Sequence, residues 1–183
     1  MKSFNWLLVL SVLSCIGCSS PVHEDGRGCA FVSDSIQYRV EFMSAGCVRI
    51  LSFPEGDTLV TRRLVVDSEK PAFKDYKWED TGQKLVFRTR ELSVVFDKAD
   101  VAFTFQETST GKLLLKEKGD RKARNFKRSV AGGEQCLEVT QRFVPTEDEA
   151  IYGLGQYQNG IMNYRGKSVL LLQANMDIVN PCL

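Results

Sequence analysis

One histidine, His23, serves a chain of 183 residues. That scarcity excludes the chemistries that need an imidazole inside a folded body: Ser-His-Asp and Cys-His nucleophiles, His-rich zinc sites and proton-shuttling pairs. His23 itself lies near the N-terminus, in a stretch that reads as a tether. An excess of charge of one sign is also missing, with 24 Lys and Arg against 23 Asp and Glu. A nucleic-acid partner is therefore not expected, and neither is an acidic solvating segment. Of the six cysteines, Cys29, Cys47, Cys136 and Cys182 show no C-x-x-C spacing, so no metal site is expected. What is present is a hydrophobic fraction of 43%, which is enough to bury a core and excludes a disordered polar chain.

The one strongly apolar run comes first. After Met1-Lys2, residues 4–16 are almost wholly apolar or small. The run is too short for a permanent span of the bilayer core, which takes about 20 residues, and has the length of a signal-peptide h-region. It ends in Ser14-Cys15-Ile16-Gly17-Cys18-Ser19-Ser20, which resembles a bacterial lipobox. Residues 1–17 are read as a lipoprotein signal peptide, with lipid attached at Cys18 and Cys15 as the alternative. Residues 18–28, with Pro21, Gly26 and Gly28, read as a flexible tether. The expected location is the outer membrane or periplasm of a bacterium, with the membrane as partner through the lipid anchor. The acidic pair Glu24-Asp25 also resembles a surface-export signal. Removing Lys2 with the leader brings the 24 basic residues level with the 23 acidic ones.

Beyond residue 28 a period of two dominates. Ile36, Tyr38, Val40 and Phe42 alternate with Gln37, Arg39 and Glu41; Ser44-Ala45-Gly46 breaks the run before Val48, Ile50 and Leu51. Leu64-Val65-Val66 is a third apolar piece, and Tyr76 and Trp78 open a strand that turns at Asp80-Thr81-Gly82. Leu85 and Phe87, then Leu92, Val94 and Phe96, then Phe103 and Phe105 form successive faces, and Leu113-Leu114-Leu115 follows another turn. Leu137, Val139 and Phe143 read as a later strand, and Val169 to Leu172 as another. The expected class is all-β, an antiparallel β-sandwich over residues 29–183. Cys47 and Cys136 fall in strand-like runs and are expected to be buried free thiols. The basic stretch from Lys116 to Arg128 reads as a solvated loop or hairpin tip.

Ile151-Tyr152-Gly153-Leu154-Gly155-Gln156-Tyr157-Gln158 fails as a dinucleotide fingerprint, because Gln158 stands where the third glycine belongs and no helix pattern follows. No cofactor is expected. Gly153 and Gly155 suit a bend or a close backbone approach instead.

Glu149-Ala150-Ile151-Tyr152-Gly153-Leu154-Gly155-Gln156, then Asn163-Tyr164-Arg165-Gly166-Lys167, Gln173-Ala174-Asn175 and Asn180-Pro181 closely resemble glycoside hydrolase family 31. The version here looks most like bacterial α-xylosidases, with α-glucosidases next. The resemblance spans about residues 29 to 183, with its specific part from Glu149 to Pro181. It implies the galactose-mutarotase-like N-terminal sandwich that precedes a catalytic (β/α)8 barrel, and that barrel as the natural partner. Members of the family retain stereochemistry with two barrel aspartates, in keeping with the two-carboxylate logic of retaining glycosidases. Lys118-Gly119-Asp120 begins like the family's nucleophile motif, but Ala123 replaces its glutamate, and Glu147, Asp148 and Glu149 read as turn residues. No catalytic residue is therefore assigned here. No βα repeat appears, so the barrel is expected to be absent, the sandwich incomplete at its C-terminal side, and the chain only marginally stable or self-associating.

By position in the resemblance, residues 156–165 form a loop that helps to shape a sugar pocket. Gln156, Asn159 and Asn163 are expected to bond hydroxyls, Tyr157 or Tyr164 to pack on a sugar face, and Arg165 to bridge carboxylates of the barrel. The expected ligands are α-linked xylose- or glucose-containing oligosaccharides, held weakly. The function expected is that of an accessory, carbohydrate-binding domain of an exported family 31 enzyme, inactive alone. A free-standing carbohydrate-binding or structural envelope lipoprotein is the alternative.

Overall fold

The computed structural model describes residues 22–57, 72–119, 126–157, 159–171 and 178–179. Among these the regular elements are all strands. Strands β1 (His23–Glu24), β2 (Cys29–Ser33), β3 (Ile36–Ser44) and β4 (Cys47–Pro54) form one sheet in chain order. Strands β5 (Lys77–Asp80), β6 (Lys84–Arg88), β7 (Leu92–Asp97), β8 (Ala102–Glu107) and β9 (Leu113–Lys116) form a second. Both are antiparallel meanders. A two-stranded ribbon, β10 (Phe126–Ala131) with β11 (Glu134–Val139), and a short pair, β12 (Gly155–Gln156) with β13 (Ile178–Val179), complete the fold.

Period-two patterning explains why the two sheets stack. Cys29, Phe31, Tyr38, Val40 and Phe42 point from the first sheet into one buried cluster with Leu85, Phe87, Leu92, Val94, Phe96 and Phe103 of the second. Register lines these residues up across strands, with Phe31 opposite Tyr38, Leu85 opposite Phe96, and Phe96 opposite Phe103. Aromatic rings then close the gap between layers. Phe31 and Phe96 lie 4.8 Å apart and Tyr38 and Phe96 5.1 Å, in tilted arrangements that favour ring edges against ring faces. The expected sandwich is the observed architecture, and Pro54-Glu55-Gly56-Asp57, Asp80-Thr81-Gly82 and Ser109-Thr110-Gly111-Lys112 all fall in or next to turns.

Three expectations need correcting. The tether assigned to residues 18–28 gives way at its C-terminal end to β1, where His23 pairs with Ala30 and Glu24 with Cys29. Side chains lock this edge down: Tyr76 Oη and Trp78 Nε1 donate to the Glu24 carboxylate at 2.9 and 3.2 Å, joining the two sheets. Arg39 holds Asp25 at 2.6 Å. Gly28 lets the chain come this close, because a Cβ there would sit 2.1 Å from the Val40 carbonyl oxygen. Composition gave Ser19–Gly28 the look of a linker, but these long-range partners hold its last residues.

Cys47 and Cys136 are free but exposed, whereas Cys29 is the buried thiol; burial pushes it up to about 11. Cys47 sits beside a turn and Cys136 on the ribbon, where alternation alone does not distinguish the core face from the solvent face. Residues 169–171 are not in a strand. Leu113, Leu114 and Leu115 do form β9, but they remain exposed at the edge of the sheet. The Leu64-Val65-Val66 piece, Asp120 to Asn125 of the basic stretch, and Cys15, Cys18 and Cys182 lie outside the described residues.

Candidate functional site

The loop singled out by sequence is built on a backbone reversal. Gly153, Leu154 and Gly155 have φ of 92°, 67° and 127°, three consecutive residues in the left-handed region. Glycine occupies two of these positions because a Cβ disfavours that conformation, and Leu154 accepts it between them. The reversal carries the chain into β12, which pairs with β13.

Hydrogen bonds then tie residues 159–167 back onto 146–151. Asn163 Oδ1 accepts from the Ile151 and Arg165 amides at 3.1 and 3.0 Å, while the Tyr164 amide donates to the Ile151 carbonyl at 2.8 Å. Arg165 Nη1 donates to the carbonyls of Thr146 and Glu149, each at 2.6 Å. Asn159 Oδ1 takes the Ile161 amide at 2.9 Å and the Tyr164 hydroxyl at 3.4 Å. Tyr157 donates to the Leu154 carbonyl at 3.2 Å, and its ring meets Tyr164 edge-on with centroids 6.0 Å apart.

The structure thus gathers Tyr157, Asn159, Asn163, Tyr164 and Arg165 in one cluster, with Gln156 exposed on β12 at its edge. Their polar atoms are engaged mainly with the loop itself. Tyr164 is buried, leaving 7% of its surface accessible, so its ring acts as the floor of the loop. Arg165 clamps the 146–149 turn through backbone carbonyls. The ring that faces outward is Tyr152, 63% exposed, which the sequence reading passed over. Its position immediately ahead of the Gly-Leu-Gly reversal is the signal that could have found it. The Glu147-Asp148-Glu149 turn is exposed, with the Thr146 amide donating to Glu149 Oε2 at 2.9 Å.

Two other features bear on chemistry. An open groove of about 480 Å³ runs along β5 and involves Lys77, Glu79, Arg88 and Arg90; no residue of 151–165 lines it, and Arg88 is paired with Glu79 at 3.1 Å. Glu117, just past β9, accepts the Phe103 amide and the Gln141 side-chain amide, both at 2.8 Å. Burial raises its pKa above the ordinary value, and the two donors only partly offset that. Among the described residues no three His, Cys, Asp or Glu side chains are grouped as metal ligands.

Glu117 gives a pH signature. A carboxyl whose pKa is raised on folding binds its proton more tightly in the native state, so its contribution to stability falls as pH rises from about 4.5 through the folded value. Glu117→Gln keeps an oxygen for the Phe103 amide and cannot ionise. The variant is expected to lose less stability than wild type between pH 4.5 and pH 7, read from urea midpoints across that window. Equal slopes for the two proteins would contradict the burial of this carboxylate. Asp25 and Asp80, held below the usual range by hydrogen bonds from Arg39 and Lys98, titrate below this window and do not mask the effect.

Comparison with known proteins places this fold. Residues 37–180 match the family model of the glycosyl hydrolase 31 N-terminal galactose mutarotase-like domain. An α-xylosidase of Saccharolobus solfataricus is 30% identical over 162 residues, covering 80% of this chain and 20% of the relative. The crystal structure of a family 31 α-xylosidase from Xanthomonas citri superposes with a TM-score of 0.70 at 28% identity, over 87% of this chain and 17% of the other. A family 31 α-xylosidase from a soil metagenome, solved with xylose, shares the fold at a TM-score of 0.59 and 21% identity, over 85% of this chain and 25% of the other. The chain spans between a sixth and a quarter of the length of these relatives. Strands β4 to β13 and the Gly-Leu-Gly loop lie within the matched span, and the chain belongs to glycoside hydrolase family 31 as its N-terminal galactose mutarotase-like domain.

Proposed function

We propose that this chain is the accessory N-terminal domain of an exported family 31 enzyme of α-xylosidase or α-glucosidase type, lipid-anchored at Cys18 and carrying no hydrolytic centre of its own. The observation that carries the reading is the pinned 151–165 loop within a family-matched sandwich. Arg165 and Asn163 spend their bonds on fixing the backbone, so the loop is held in one shape before any ligand arrives. Preorganised loops of this kind present binding groups at low entropic cost. Tyr152 offers a ring to a sugar face, and Gln156 and Asn159 offer amides to its hydroxyls. Without an enclosing wall the site is shallow, and affinity for α-linked xylose- or glucose-containing oligosaccharides is correspondingly weak.

Titration calorimetry with xyloglucan oligosaccharides tests this directly. Roughly millimolar binding is expected, weakened several-fold by Tyr152→Ala, with no xylose released from an aryl α-xyloside. No heat at millimolar ligand would remove the sugar contact and leave a structural envelope role. Turnover that survives stringent purification would overturn the non-catalytic assignment.

A further inference from the structure

The β10–β11 ribbon has two unlike faces. Register places Phe126 opposite Val139, Arg128 opposite Leu137 and Val130 opposite Gln135, so these six share one face. The other face carries Lys127 with Glu138, joined at 3.5 Å, together with Ser129, Cys136, Ala131 and Glu134. One side is therefore mostly apolar and the other polar, the pattern of a sheet that covers something on one side only. Yet the apolar side is open: Val130 is 70% exposed, Val139 60% and Leu137 39%.

A lone two-stranded ribbon is marginal in water, and its strands pack chiefly on each other. It is oriented, however, since Arg128 reaches Asp57 in the turn after β4 at 3.2 Å and Phe143, just beyond the ribbon, bridges to Glu117. An amphipathic ribbon fixed at its base with its apolar side bare is shaped for a partner surface.

We infer that the apolar face of this ribbon, Val130, Leu137 and Val139 above all, is the surface on which the remainder of a family 31 chain docks. This inference rests on the accessory-domain reading and adds the place of contact. The occupant follows from chain length: the Xanthomonas and Saccharolobus relatives devote 17% and 20% of their length to the span matched here, so most of a family member lies outside this sandwich and must meet it somewhere. Burying three exposed aliphatic side chains supplies an apolar centre, and Arg128 and Gln135 give it a polar border.

The test uses the full chain, tagged, co-expressed with the Xanthomonas citri α-xylosidase from which the matched N-terminal span has been removed. Wild type is expected to co-purify with that partner. The triple variant Val130→Lys/Leu137→Lys/Val139→Lys is expected to retain at least tenfold less, whereas Ser129→Lys/Glu134→Lys on the opposite face retains as much as wild type. Thermal melts check the variants; should the triple variant lose its transition, Val130→Lys alone, at the most exposed position, carries the test. Equal retention by the apolar-face variant would overturn the ribbon assignment while leaving the accessory role intact. Failure of wild type to co-purify would overturn the accessory role and this inference with it. A wild-type dimer in sedimentation that the triple variant abolishes would assign the face to a second copy instead.

Discussion

Phe96→Ala is expected to lower the unfolding free energy by about 3–5 kcal/mol, the range for removing a large aromatic from a packed core. Phe96 is fully buried and touches rings from both layers, Phe31 and Tyr38 in the first sheet and Phe103 in the second, at 4.8, 5.1 and 4.9 Å. Truncation leaves a cavity at the seam between sheets, and the strand ladders on either side keep the backbones from collapsing into it. Each lost ring pair adds about 0.5–1.5 kcal/mol to the transfer term. For a domain whose total stability is on the order of 5–15 kcal/mol, the variant is left close to unfolding. Urea denaturation followed by tryptophan fluorescence measures the shift in midpoint. A loss under about 1.5 kcal/mol would mean that the two sheets are not held together through this ring.

The second large effect sits on the outer face of the first sheet. Glu41 is only 4% exposed although it points away from the core, and Arg39 covers it. Arg39 Nε lies 2.8 Å from Glu41 Oε1, its Nη2 reaches Asp25 at 2.6 Å, and Arg49 adds a longer contact to Glu41 at 3.5 Å. Arg39→Ala removes the closest cation from a buried carboxylate, a change that costs about 3–5 kcal/mol when no charge replaces it. Arg49 remains, so the lower end of that range is expected. The variant should also differ in acid. The hydrogen bond from Arg39 holds Asp25 below the usual carboxylate range, so its stabilising contribution is present above about pH 3.8 and is lost as pH falls through the folded value. The gap between wild type and variant is therefore expected to narrow below about pH 3.8 in chemical denaturation series. A gap that stays constant into acid would show that Arg39 acts through packing of its stem and not through its charge.

Both expectations draw on features of unequal legibility. Much of the core could be read in advance, because Tyr38, Val40 and Phe42 alternate with polar neighbours, Leu85, Phe87, Val94, Phe96 and Phe103 keep the same period of two, and a strand turns every second side chain to one face. The Arg39–Glu41 pair could not, since its members looked like ordinary solvent-facing residues of β3. Which of them is covered depends on β1 and on Arg49 in β4, neither of which local pattern brings to the same place.

The loop divides in the same way. Gly153 and Gly155 suited a bend, and the resemblance to family 31 pointed to the loop that follows them. The role of each side chain was decided by what it met: Arg165 found the carbonyls of Thr146 and Glu149, and Tyr164 sank beneath the loop while Tyr152 stayed outside.

Alternation and turn residues, properties of neighbours in the chain, were enough to establish an all-β sandwich of antiparallel strands and many of its buried positions. Contacts between residues far apart decided the rest. They drew His23 and Glu24 out of an apparent tether into β1, left Cys47, Cys136 and the β10–β11 apolar face in solvent, and tied Asn163, Tyr164 and Arg165 into their own loop. A period of two tells which side chains share a face but not what, if anything, covers that face, and the answer exists only once the sheets have packed.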